Sequence, residues 1–132
     1  MERPTDASTA WRRVALTGGV LFVSTVTPAK RRDPPEPPPY GVDKVAHAVA
    51  HAWFAVTLLD AFEATGWSRE APVVAVGLSA SSGVALELLQ RWVPGRRFES
   101  GDVVAGVVGS VVAVAAARRC DRSTRTAGDG RD

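Results

Sequence analysis

The stretch "GVDKVAHAVAHAW" at residues 41–53 decides how the rest of the chain is read. It opens an apolar run that continues through "FAVTLLDAF", yet its first turns carry Asp43, Lys44, His47 and His51. Past those residues the run is apolar nearly all round. That suits a helix in lipid, whereas a helix in water needs a charged stripe to face solvent.

The same pattern recurs on either side of this stretch. Residues 14–29, 45–59, 71–86 and 103–117 contain no Asp, Glu, Lys or Arg, and each run is 15 or 16 residues long. A spanning helix wants about 20 residues. The flanking turns supply the difference: residues 43–62 number 20, roughly 30 Å of helix at ~1.5 Å per residue. The fold expected is all-α and integral to the membrane, with four transmembrane helices in an antiparallel bundle. The helices would cover about 11–27, 43–62, 72–92 and 102–117. A soluble four-helix bundle is the rival, and the missing charged stripes weigh against it. Residues 11–117 form one membrane domain, residues 1–10 a polar arm, and the charged residues 118–132 a tail of disordered composition.

Connectors and composition agree with this plan. "KRRDPPEPPPYG" (30–41) cannot be helical and is expected to be extended. "EATGWSRE" (63–70) and "VPG" (93–95) are turns. Basic residues before the first run and "TPA" at 27–29 also fit a cleavable signal peptide; its removal would leave three spans of modest hydrophobicity, so the first run is read as a span. Trp11, Trp67 and Trp92 fall at helix ends, as an aromatic belt requires. The single Cys120 excludes an internal disulfide, and a net charge of +2 with arginines at segment ends argues against nucleic acid. Of the 16 basic residues, nine fall on the side of the termini and seven on the other. That balance predicts a multi-pass protein of the cell membrane with both termini cytoplasmic and lipids as its neighbours.

With four spans, the loops after the first and third helices share one membrane face. Measured from that face, His47 lies roughly 6 Å deep, His51 roughly 12 Å, Glu87 roughly 7 Å and Gln90 roughly 3 Å. Asp43, His47 and His51 repeat every four residues and form one stripe; Ser79, Gly83, Glu87 and Gln90 form another. Asp102 heads a small-residue stripe with Ala105, Gly106, Gly109 and Ala113. The three stripes are expected to line one polar pocket. Glu87 is the hardest residue to explain as packing, because an acid inside a spanning helix is costly unless paired. His47 is its partner by depth. Asp43 and Asp102 also suit helix caps, and Lys44, Arg96 and Arg97 suit interfacial anchors. His51 extends the stripe, and the sequence leaves its role open between a neutral histidine bonded to a nearby serine and a metal ligand.

The order of these pieces resembles the VanZ-like family of small four-helix membrane proteins. The resemblance rests on Ser24 to Pro28 closing the first helix, the "DK..H" of Asp43, Lys44 and His47, the "E..Q...PGR" of Glu87, Gln90, Pro94, Gly95 and Arg96, and Asp102 with Gly109. It covers about residues 11–117. The chain departs from the family at His51, where an aromatic is usual, at Gly106, where Asn is usual, and at Ala113, where Gly is usual. The resemblance implies a role at the cell envelope, since the namesake contributes to resistance against teicoplanin.

Together these readings make His47, Glu87 and Asp102 the candidate catalytic residues. Asp43, Lys44, Gln90, Arg96 and Arg97 are the candidate ligand-binding residues. The expected function is binding, or modification, of a lipid-linked or anionic headgroup, with the basic residues attracting phosphate or carboxylate. The alternative is a non-catalytic scaffold whose buried polar residues fix helix packing. A metal held by Asp43, His47, His51 and Glu87 is a further alternative. "HExxH" is absent, because Ala48, Val49 and Ala50 separate the histidines, so no metal or cofactor is assigned.

Overall fold

The computed structural model describes residues 6–28 and 41–128; the Pro-rich connector expected over 30–41 lies outside them, save Gly41. The described chain is four helices: α1 (Ala7–Val26), α2 (Val42–Ala64), α3 (Ala71–Gln90) and α4 (Ser100–Gly128). Two boundaries depart from expectation. α1 starts four residues early because Asp6 caps it, accepting the Ser8 amide at 3.1 Å and the Ser8 hydroxyl at 2.6 Å. Those bonds hold the Asp6 carboxyl below its usual range.

The larger departure is at the other end. α4 runs on to Gly128, through residues whose charge made disorder the expectation. Extending an established helix costs little per residue, and the Ala–Arg run after Val114 favours it. Arg118 pins the extension, donating to Glu63 at 2.9 Å and to the Ser68 carbonyl at 3.2 Å.

α2 is the central element. It packs against α1, α3 and α4, while α1 also touches α3 and α3 touches α4. The contacts at its two ends fix how the helices lie. Lys44 near the start of α2 meets Asp102 near the start of α4, and Glu63 near its end meets Arg118. Trp11 on α1 sets its ring edge against Phe62 late on α2, at 5.4 Å between centroids.

The core is small and aliphatic: Ala55, Leu58, Leu59, Ala71, Ala75 and Val114. The large apolar side chains point outward instead, with Val73 78% exposed, Leu16 70% and Trp53 64%. In water this arrangement would strand apolar surface; in hydrocarbon it costs nothing. α2, α3 and the Ser100–Thr124 part of α4 are each long and apolar enough to cross a membrane. With no hydrophobic drive between helices in lipid, close backbone approach has to hold them together. Gly109 supplies it: a Cβ there would collide with the backbone carbonyl of Ala48, so α2 and α4 meet main chain to main chain.

Candidate functional site

Polar side chains gather where the starts of α2 and α4 meet the end of α3. α2 begins at Val42, one residue after Gly41, which is the N-cap with φ 104° and offers no side chain to the helix amides. Asp43 is therefore no cap, contrary to the simplest sequence reading. It lies in the first turn, where its charge suits the positive end of the helix, and 56% of its side chain is exposed. One turn on, the His47 Nδ1 lies 3.0 Å from the Asp43 carbonyl oxygen.

His47 is the meeting point. Its Nε2 lies 3.5 Å from Glu87 Oε1 on α3, and its Nδ1 3.9 Å from Asp102 Oδ2 on α4 and 3.8 Å from Asp43 Oδ1. Glu87 and Asp102 are buried, whereas the His47 side chain keeps 22% of its surface. Carboxylates on α3 and α4 thus approach one histidine on α2, but the single pocket expected of the three stripes is divided into two clusters. α4 starts at Ser100, so Asp102 sits inside the first turn. Its Oδ1 receives Lys44 Nζ at 3.1 Å.

The basic residues are engaged differently from the expectation. Lys44 divides its ammonium between Asp102 and Glu99, each at 3.1 Å. Arg96 turns to α1, donating from Nη2 to the carbonyls of Ser24 at 3.0 Å and Thr27 at 3.5 Å. It thus supplies a positive charge to a helix end that has no basic residue of its own. Arg97 is exposed, and Gln90 is buried beside Glu87 on the same face of α3.

Glu99 is the site residue that sequence reading missed. Its amide donates to Glu87 Oε2 at 3.2 Å, and its carboxylate takes Lys44. It sits three residues before Asp102, and that acid-x-x-acid spacing at a helix start was the available signal. The loop position hid it.

One turn deeper lies a second polar cluster. His51 is buried, with Nδ1 3.2 Å from Ser79 Oγ, which is itself 2.9 Å from Ser110 Oγ. Both hydroxyls reach back to the His51 carbonyl at 3.3 Å, and Ser110 also donates to the Gly106 carbonyl. The ring fits between two glycines: a Cβ on Gly106 would come within 2.9 Å of it and one on Gly83 within 3.1 Å. His51 is separate from the outer site and joins α2, α3 and α4 around hydroxyl groups.

Chemically, the outer site offers a histidine between two buried carboxylates, open to water on one side. Such a group can take a proton from one partner and pass it outward. It also offers oxygen and nitrogen atoms that converge, considered below. No family model, curated protein or solved structure matches the chain.

Proposed function

We propose that the chain is a VanZ-like membrane protein of four spans in an antiparallel bundle, whose outer polar site binds and acts on a lipid-linked headgroup at the cell envelope. The fourth span is α1, supported by its 20 residues and by the outward faces of Leu16, Val20, Phe22 and Val23. The end-to-end contacts of α2 with α1 and α4 support alternating helix directions. With both termini cytoplasmic, as the basic-residue count favours, the site opens on the outer face. A reporter fused at the C-terminus tests this, and an external reporter would overturn it.

One observation carries the functional reading. Glu87 is only 3% exposed in a helix apolar enough to span a membrane, yet it faces a histidine that water can reach. An acid held there is expensive, and intramembrane ionisable residues are functional candidates for that reason. His47 and Glu87 then act as an acid–base pair, with Asp102 holding the imidazolium form. Arg97, exposed in the loop two residues before Glu99, is the group left to attract an anionic part of the headgroup. Lys44 and Arg96 serve to hold the loop and helix ends together.

The scaffold reading also has an observation in its favour: Lys44, Glu87, Glu99 and Asp102 bond to one another across α2, α3 and the start of α4. A strain lacking the protein, profiled for envelope lipids and drug sensitivity, separates the two. Complementation by wild type but not by normally accumulating His47→Ala or Glu87→Ala variants supports the active site. Loss of accumulation in both variants supports the scaffold, and an unchanged lipid profile on deletion and overexpression sinks the headgroup reading.

A further inference from the structure

We infer that Asp43, His47 and Asp102 bind a divalent transition-metal ion at the mouth of the outer site. Their ligand atoms lie within 4.8 Å of one another and come from two helices, α2 and α4. Metal–oxygen and metal–nitrogen bonds of ~2.0–2.2 Å put neighbouring ligands roughly 3 to 3.5 Å apart. The separations of 3.8 Å and 3.9 Å from His47 Nδ1 need close by a few tenths of an ångström, and the widest pair, within 4.8 Å, by up to about 1.3 Å. Asp43, with more than half its side chain exposed, is free to move that far.

A second observation, independent of the carboxylates' clustering, comes from the imidazole. A neutral ring has one N–H and one lone pair. Here both nitrogens face oxygen acceptors: Nε2 faces Glu87 Oε1, and Nδ1 faces the Asp43 carbonyl and two aspartate oxygens. Whichever neutral tautomer forms, one ring lone pair points at oxygen lone pairs, and either a second ring proton or a metal ion removes the conflict. A metal at Nδ1 resolves this, with the Nε2 proton directed to Glu87 as metal-ligating histidines usually direct theirs to a carboxylate.

Charge balance points the same way. Among the described residues, four carboxylates, Asp43, Glu87, Glu99 and Asp102, gather with one ammonium, Lys44. Crediting each helix N-terminus with about half a positive charge still leaves about two negative charges in excess. Mixed imidazole and carboxylate ligands favour manganese or zinc over magnesium or calcium. The set differs from the four residues that the sequence suggested: His51 bonds to Ser79, Glu87 faces the other ring nitrogen of His47, and Asp102 joins Asp43 and His47.

The metal shares residues with the headgroup reading and, where bound, takes the place of the imidazolium proton at Nδ1; the test uses no lipid substrate. The full-length chain, purified in detergent with a tag free of histidine and stripped with chelator, is titrated with Mn2+ and with Zn2+. About one ion per chain is expected, with Mn2+ showing nitrogen coupling by pulsed electron paramagnetic resonance. Asp43→Asn, at an exposed side chain, leaves the fold intact and weakens binding at least about tenfold, as even outer-shell losses do. His47→Gln removes the nitrogen coupling. Cys120→Ser, far from the site, changes neither affinity nor stoichiometry. Absence of stoichiometric binding to folded wild type, or binding unaltered by Asp43→Asn, overturns the proposal and assigns the compensating charge to a proton.

Discussion

Two histidines one helical turn apart on α2 have opposite surroundings. His47 sits among carboxylates at the mouth of the bundle, partly open to water. His51 sits among serine hydroxyls, enclosed by Gly83 and Gly106. A group surrounded by charges and reached by water can exchange a proton or hold a cation. One held by neutral hydroxyls and only 5% exposed fixes helix spacing, since Ser79 and Ser110 tie it to α3 and α4. Chemistry and packing are thus divided between two residues of one type on one stripe.

The strongest test of the packing half is at Gly109. Gly109→Leu should drive α2 and α4 apart at their backbone contact and abolish recovery of folded protein, at or above the ~3 kcal/mol upper end of overpacking costs. Yield of monodisperse protein in detergent measures it. Normal yield would mean that the close contact does not organise the bundle.

A cycle at the inner cluster asks whether His51 and Gly106 form one unit. Gly106→Asn should cost about 1–3 kcal/mol by striking the imidazole ring. Added to His51→Ala, the same change should cost at least ~1 kcal/mol less, the coupling expected of residues in contact. Additive costs would show that the ring and the glycine act separately.

The two histidines should then part company when each is truncated. His51→Ala, which leaves a cavity and removes the bond between the ring and Ser79, should lower stability by about 2 kcal/mol. His47→Ala should lower it less, because its ring is partly exposed, while abolishing complementation of a deletion strain. Unfolding in mild denaturing detergent beside the complementation assay gives both numbers. The reverse order would exchange the roles assigned here.

Asp6 gives a reference point with neither burial nor apolar neighbours. Its carboxyl pKa is lowered chiefly by the side-chain and backbone bonds from Ser8. The stability it contributes is present above the pKa of the unfolded carboxyl and lost as pH falls through the lowered, folded value. Acidification should therefore fray only the first turn of α1, seen as faster amide exchange at Ser8. Exchange that is independent of pH, after correction for its intrinsic rate, would remove Asp6 as the cap.

Much of the plan is legible in one dimension. Four charge-free runs separated by turns specify helices, and a four-residue repeat puts Asp43 and His47 on one face. Depth counting from a shared membrane face pairs His47 with Glu87, and the two lie within 3.5 Å. Glu99 escaped because a loop has no periodicity from which to read a direction. Arg96 was read as reaching toward the interface, but its length lets it choose among partners, and the bare carbonyls of α1 take it. The tail of α4 was misjudged from its charge, because the contact with Glu63 belongs to a segment 55 residues earlier.

The sequence by itself determined where the four apolar helical runs lie and which polar residues share a face, because both follow from local spacing, but not the charged extension of α4 to Gly128. Only the tertiary structure decided that His51 belongs to the packing and His47 to the site. That division depends on Gly83, Gly106, Ser79 and Ser110 closing around one ring while Glu87 and Asp102 approach the other. Those neighbours come from different helices, and no spacing within α2 distinguishes the two histidines.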